Sequence, residues 1–425
     1  MDPSVWKKAR NHAVVVPTQD RKWGKLTFDI VVVGAGPGGL AAAIAAGESG
    51  ARVAILDDNP GPGGQIWRSQ SNSWTTRMRA SGAEFLPQTT VFEVRGSHRL
   101  GVWRNGIAQE ITYAKLILAT GARELFLPFP GWTLPHVMGV GGLQALAKGG
   151  MPVKGKRIVV SGSGPLLLAV AAYLEAHGAT VPLIAEQTSA IDLGLFGAGL
   201  GTAKITEAAK LFWALRGSRY RPGTWVTRTA AGRVELNHGG PLECDYLACG
   251  YGLVPNLELA RMLGCETRPK EAGTVVDEVC RTSRPDVHAA GETNGIGGED
   301  LALLEGQLAG YAATGQSTKV ARLAPLRRQA LGFRRLLART FAPRRELQKL
   351  AEPGTIVCRC EDVRYERLAT ATDERDAKLQ ARCGMGACQG RVCGPACEFL
   401  FGWQPGTLRA PLSPVTVSAY LQKES

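Results

Sequence analysis

The chain has 425 residues, 44% of them hydrophobic, and 50 Lys and Arg against 37 Asp and Glu give a formal charge of +13. That length and balance suit two or three packed cores and exclude a disordered chain, a collagen and a small disulfide scaffold. The 53 glycines exceed the usual ~7% share and gather at 34–39 and 61–64, where a backbone must come close to something.

Residues 1–27 read as an N-terminal extension. They lack the apolar core and small-residue cleavage site of a signal peptide, and no run of about twenty apolar residues exists to span a bilayer. The expectation is a cytoplasmic chain with no transmembrane segment.

An apolar, β-branched run over 28–33 precedes Gly34-Ala35-Gly36-Pro37-Gly38-Gly39, and an Ala-rich helical stretch follows over 40–48. Strand, GxGxxG turn and helix in this order make a dinucleotide or adenine-nucleotide site. Gly34 permits the tight turn, Gly36 lets a pyrophosphate reach the backbone, and Gly39 lets helix and strand touch. The helix N-terminus, entered through Pro37 and Gly38, offers unpaired N–H groups and a positive dipole end. A second strand over 52–56 ends at Asp57, whose carboxylate is placed to accept from ribose hydroxyls.

Two further segments look built for one long cofactor. Asn59-Pro60-Gly61-Pro62-Gly63-Gly64-Gln65-Ile66-Trp67-Arg68 is a glycine loop just past the acid, and DVHAAGE over 286–292 ends an apolar strand at Gly291-Glu292. Together with Leu118-Ala119-Thr120-Gly121-Ala122-Arg123, this layout resembles the two-dinucleotide-domain flavoprotein reductases. The resemblance implies FAD, with Gly64, Gln65 and Arg68 near the flavin, Thr120 and Gly121 at the crossover, and Gly291 and Glu292 on the ribityl and pyrophosphate. It also implies an α/β fold in which a Rossmann-like FAD domain, 28–149 and 251–317, carries an inserted NAD-like domain, 150–250. No Cys occurs before Cys244, so the flavin-side thiol pair of a disulfide reductase is missing.

Within the inserted domain, a strand over 157–160, the turn Ser161-Gly162-Ser163-Gly164-Pro165-Leu166-Leu167 and a helical run to His177 repeat the first plan, with a further strand ending at Glu186. The third glycine position is Leu167. A side chain there widens helix–strand packing and alters the pyrophosphate pocket, so this copy is read as degenerate and NAD(P) is not expected as a cofactor.

Residues 318–353 read as a basic amphipathic linker. From 319 to 345 there are nine basic residues and no acid, alternating with Leu326, Leu331, Phe333, Leu336, Leu337 and Phe341. Pro325 and Pro343 should bracket a helix that docks the next domain or an acidic partner. Nucleic acid is not the expected partner.

Six of the ten cysteines fall between 358 and 397. Cys358 and Cys360, then Cys388 and Cys393 after 27 intervening residues, form two close pairs in Gly-rich sequence. Soft thiolates converging among glycine amides suit iron–sulfur or zinc, and the CxC spacing is unusual for zinc. CRCEDV followed by CGMGACQGRVCG is similar to the bacterioferritin-associated-ferredoxin-like 2Fe-2S domain, placed here at 354–403. That resemblance carries over Cys358, Cys360, Cys388 and Cys393 as metal ligands; Cys383 could compete with Cys393, and it and Cys397 are read as bystanders. Residues 404–425, with Pro405, Pro411 and Pro414, read as an extended tail that crosses onto a partner subunit.

Across nearly the whole chain, PGGQIWR, LATGARELFLPFPGWTLP, VMGVGGLQALAK, SGSGPLLL, YLACGYGLVPN, AAGETNGIGG and the cysteine module resemble one family. It is the flavin and iron–sulfur alpha subunit of heteromeric amine dehydrogenases: opine oxidases, D-hydroxyproline and dye-linked proline dehydrogenases, and the B subunit of hydrogen cyanide synthase. The resemblance implies an electron-relaying subunit whose partner, a D-amino-acid-oxidase-like FAD-dependent beta subunit, oxidises the secondary amine or imino acid. It also implies, in some complexes, an FMN at a subunit interface and a small third subunit. The alternative reading is a self-contained NAD(P)H-dependent FAD/2Fe-2S reductase. No catalytic base stands out, since Glu299, Asp300 and His288 have ordinary surface or capping readings.

Overall fold

This computed structural model describes residues 26–68, 70–268 and 273–417. The N-terminal extension up to residue 25 and the end of the tail, 418–425, lie outside them. The first apolar run forms β1, Leu26–Val33, with Val31 and Val32 fully buried, as a parallel strand covered on both faces requires. The glycine turn leads into α1, Pro37–Gly47, and then into β2, Val53–Leu56. After β3 (Glu84–Leu86), β4 (Thr89–Val94) and β5 (Arg99–Arg104) comes the long β6, Ile107–Leu118. The sheet order is β3-β2-β1-β6-β5-β4. β1 is parallel to both β2 and β6, whereas β4 and β5 join as antiparallel strands.

A second sheet follows. The chain enters it through β7, Ala122–Glu124, then forms β8 (Val137–Met138), α2 (Val140–Lys148), β9 (Ile158–Gly162), α3 (Leu166–Ala176) and β10 (Leu183–Glu186). Two helices, α4 (Ala190–Ala198) and α5 (Thr202–Ala214), precede β11 (Arg219–Pro222) and β12 (Tyr246–Gly250). These strands pair in parallel in the order β11-β10-β9-β12-β8. The chain leaves through β13, Leu253–Pro255, antiparallel to β7. Entry and exit thus form one two-stranded ribbon between the sheets.

Back at the first sheet, a strand at Val287–Ala289 pairs in parallel with the end of β6. The following helix α6, Gly298–Ala313, lies so close on α1 that a Cβ at Gly306 or Gly310 would meet the carbonyl oxygens of Gly38 or Ala42. Small residues on both helices make that approach possible.

The basic segment forms one helix, α7, Ser317–Thr340. Pro325 lies inside it instead of bracketing it. Proline removes one helix hydrogen bond, and because Ala321 and Pro325 are both exposed, water can satisfy the freed carbonyl. Two of the arginines turn inward. Arg327 is 5% exposed and its Nε donates to Glu305 at 2.9 Å, and a Cβ at Gly295 would strike the Arg334 guanidinium.

The cysteine-rich segment folds as a short hairpin (Ile356–Cys358 with Val363–Arg364), small helices, and α8, Cys393–Phe401. It packs on the second sheet's unit. Trp132 Nε1 donates to the Ile356 carbonyl, and Val392 and Phe399 rest on the core that holds Phe129, Trp132 and Tyr251. The described part of the tail, up to residue 417, touches its own chain. Arg261 donates to the carbonyls of Pro405 and Gly406, the Leu412 amide donates to Phe92 O at 2.6 Å, and Leu412 joins the core beneath the first sheet. An apolar side chain six per cent exposed holds the described tail on its own chain.

Candidate cofactor sites

Three glycine segments distant in sequence meet at the end of β1. Gly34 has φ +104°, and a Cβ there would collide with Ala119 O, just before Thr120. A Cβ at Gly39 would collide with Gly34 O, so both positions are set by the fold itself. Gly36 differs, since nothing lies within 4 Å of a Cβ built on it. It precedes α1, with Pro37 in the first turn and no side chain capping the helix, so the first N–H groups are left for an anion. From the second loop, Gly63 N donates to Ala35 O at 2.8 Å, and a Cβ at Gly64 would press on Gly36 Cα. From the late motif, a Cβ at Gly291 would lie 3.9 Å from Gly38 Cα. The result is a cleft walled by main chain.

Asp57 is 8% exposed, and its carboxylate has protein partners. Oδ2 accepts from Ala35 N at 2.6 Å, and Oδ1 accepts from the backbone and side-chain nitrogens of Asn59, each at 2.8 Å. Its first duty is therefore to brace the glycine turn. Arg68 reaches Asn59 Oδ1 at 2.9 Å and Gln65 Oε1 at 3.2 Å, so both loop residues support the same corner. Thr120 Oγ1 donates to Asn256 O at 2.7 Å, and Gly121 has φ +65° with open space beyond it. Burial pushes the Glu292 carboxyl above the ordinary range.

The second turn repeats the brace. Glu186 Oε2 accepts from Gly164 N at 2.8 Å, as Asp57 does from Ala35, and in both cases the partners are 22 residues apart. Leu167 is buried among Ile158, Val160 and Leu143. What sequence reasoning missed is the occupant of this turn. The Phe341 ring lies 3.8 Å from a Cβ built on Gly164, and Ser163 Oγ donates to Phe341 O at 2.9 Å. Gln187, fully buried, donates to Ala342 O at 3.2 Å and accepts from Arg344 N at 3.1 Å. Phe196 of α4 closes edge-on against Phe341, 4.9 Å between ring centres. The chain's own residues 341–344 thus pack against this turn.

Cys358, Cys360, Cys388 and Cys393 all line one cavity of about 330 Å³, whose other wall is Phe126, Trp132, Met138 and the Gly139–Gly142 turn. Cys358, Cys383 and Cys393 have sulfur atoms within 4.8 Å of one another and are buried. Cys383, read as a bystander that could compete with Cys393, is thus close to two of the four. It is not among the residues that line the cavity, and it also contacts Cys397. Contact with the Cys383 and Cys393 thiols, helped by the Gly384 and Glu361 amides, holds Cys358 far below a free thiol, and contact with Cys393 lowers Cys388 to about 5. Four soft donors around one cavity fit an iron–sulfur cluster.

Glu305 escaped sequence reasoning because an acid inside a helix carries no local mark. It is completely buried and accepts from Gly291 N at 3.0 Å, Asn294 Nδ2 at 2.9 Å and Arg327 Nε at 2.9 Å. Glu124 caps α2, accepting from Gly141 N at 2.7 Å and Gly142 N at 2.9 Å. His288 is 3% exposed, neither ring nitrogen has a partner among the described residues, and burial pushes it down to about 4. It is a core residue. Asp300 pairs with Lys204 at 3.0 Å, and burial raises Glu299.

Residues 28–306 match the pyridine nucleotide-disulphide oxidoreductase family. The A subunit of opine oxidase from Rhizobium meliloti (strain 1021) is 32% identical over 92% of this chain and 97% of its own. The HcnB subunit of hydrogen cyanide synthase from Pseudomonas protegens is 28% identical over 93% and 98%. Among solved structures, L-proline dehydrogenase from P. horikoshii superposes with a TM-score of 0.69 at 17% identity, over 94% of this chain and 81% of that one, which is a likeness of fold.

Proposed function

The chain belongs to the pyridine nucleotide-disulphide oxidoreductase family, in the group that holds the A subunit of opine oxidase, and from that premise we propose that it is the electron-relaying flavin and iron–sulfur subunit of a heteromeric dehydrogenase for a secondary amine or imino acid. FAD lies along Gly34, Gly36, Pro37, Gly38 and Gly39, with Asp57, Gly64, Gln65, Arg68, Thr120, Gly121, Gly291 and Glu292 around it. Cys358, Cys360, Cys388 and Cys393 hold a 2Fe-2S cluster. Such a pair takes electrons two at a time and releases them singly.

The observation that carries this reading is the filled second turn. With Phe341 against Gly164 and Gln187 engaged by 342–344, a nicotinamide nucleotide finds its pyrophosphate seat taken. Electrons then come from a D-amino-acid-oxidase-like partner subunit. Exposed apolar side chains on α4 and α5, among them Ile191 at 77% and Trp213 at 72%, support a protein partner, because monomers rarely leave large apolar patches bare. Among the described residues no helix is long and apolar enough to cross a membrane.

Anaerobic NADH added to the purified chain should leave the flavin absorbance unchanged, whereas amine substrate plus the partner subunit should bleach it. Rapid bleaching by NADH alone would favour the self-contained reductase instead.

Gly36 offers a milder test of the flavin site. Because a Cβ at this position meets no protein atom, Gly36→Ala should keep the unfolding midpoint of the apoprotein. It should weaken FAD binding about tenfold or more, the result of a ~1–3 kcal/mol steric penalty against the ligand. Equal loss of stability and flavin would show that the fold, not a ligand, requires this glycine.

A further inference from the structure

We propose that Arg123 is the positioning residue that pins the cysteine loop 388–393 to the crossover segment beside the flavin site, and so fixes the gap across which electrons pass. The proposal rests on the cofactor reading above.

Arg123 stands on β7, two residues past Gly121. Its guanidinium reaches three ways. Nε donates to the carbonyl oxygen of Arg391 at 2.9 Å, and Nη1 donates to Asn256 Oδ1 at 2.7 Å and to Glu258 Oε1 at 2.8 Å. Asn256 continues the chain of contacts backward, since its Nδ2 donates to Thr120 O at 2.8 Å and its backbone N–H to Gly121 O at 2.9 Å. Two side chains therefore link the main chain of Thr120 to that of Arg391, a residue that lies between Cys388 and Cys393. These partners are as far as 268 residues apart in sequence.

The cysteine loop has its own reason to need an anchor. Gln389 and Gly390 both have positive φ, 51° and 80°, and the Arg391 side chain is spent on Cys388 O and Gln389 Oε1 within the loop and on Leu412 O of the tail. Glu258 lies 2.8 Å from Arg123 and 3.9 Å from Arg391, which lets two guanidinium groups sit side by side. Only a planar fork meets a carbonyl, an amide oxygen and a carboxylate at once; lysine, a point charge with a flexible stem, cannot. The step served is a simple one: an electron leaves the reduced flavin, which is oxidised, and enters the cluster, which is reduced, with no bond made between them.

The test compares wild type, Arg123→Lys and Arg123→Ala as full chains in complex with the partner subunit. It reads FAD and iron per chain, hydrogen exchange across 386–393, and the rate of cluster reduction after photoreduction of the flavin. The expected result is unchanged FAD and iron, exchange in the loop about tenfold faster through easier local opening, and cluster reduction at least about tenfold slower on the same energy scale, with lysine rescuing little. Faster exchange with an unchanged reduction rate would reduce Arg123 to a domain-packing residue and overturn the proposal, as would unchanged exchange. If Arg123→Ala fails to fold, Glu258→Gln serves, since it weakens the same fork without removing it. A wild-type chain without iron would instead end the cofactor reading, and the exchange measurement would still judge the clamp.

Discussion

Glu305→Ala is expected to lower the stability of the chain by about 3–5 kcal/mol, the usual cost of leaving one partner of a buried ion pair uncompensated. The geometry makes this position severe. Arg327 is 6% and Glu305 1% exposed at the side chain, so neither charge can turn to water when the other is gone. Arg327 keeps one contact, Nη1 to Asp277 O at 3.0 Å, which offsets part of the loss. The loop effect is separate from the charge effect. Glu305 Oε2 also holds Gly291 N and Asn294 Nδ2, so its removal should free the 291–294 segment, with loss of bound flavin at temperatures where the rest stays folded. Chemical denaturation and FAD content per chain check both. Glu305→Gln keeps an acceptor for the loop but leaves Arg327 unpaired, and should retain more flavin than Glu305→Ala at similar stability. A stability change within the ~0.5 kcal/mol of an ordinary surface substitution would sink this account of the pair.

What could be read ahead of the structure was whatever a short stretch dictates alone. The turn at 34–39 is legible because a steric demand falls within it, Gly39 against Gly34 O, whereas the demand at Gly34 falls on Ala119 O from a distant strand. The position of Asp57 was legible by spacing, yet its hold on the Ala35 amide was not, since a carboxylate accepts from a ribose or a backbone N–H with equal ease. Contacts across long stretches left no local pattern. Phe341 reads as an ordinary apolar position of an amphipathic helix until Gly164 is brought beneath it, and Leu412 as a loop residue until the Phe92 carbonyl accepts its amide. Nine basic residues without an acid suggested a helix that docks the next domain or an acidic partner. Two of them instead turn inward, Arg327 onto Glu305 and Arg334 against the Gly295 turn, because counting charges does not say which side of a helix is covered.

The cysteine ligands invite the other large effect. Cys358→Ser and Cys393→Ser should each abolish iron binding, because these two thiols are both buried, belong to the tight trio, and line the cavity. A hydroxyl is a much harder donor than a thiolate for iron–sulfur chemistry. Cys360→Ser and Cys388→Ser should have nearly the same outcome, since a two-iron cluster needs four thiolates; but Cys360 is exposed, so its variant is expected to keep a labile fraction that a chelator removes. Cys383 is the decisive member. Proximity alone would make it a ligand, yet it is not among the residues that line the cavity, and it also contacts Cys397. Cys383→Ser should therefore retain iron and the visible spectrum of the wild type, with at most the modest destabilisation of a hydroxyl placed in an apolar core. Iron and sulfide analysis of anaerobically prepared variants, with absorption spectra, reads all five. Loss of iron in Cys383→Ser alongside its retention in Cys360→Ser would move the ligand set inward by one thiol, and would make the exposed cysteine the bystander.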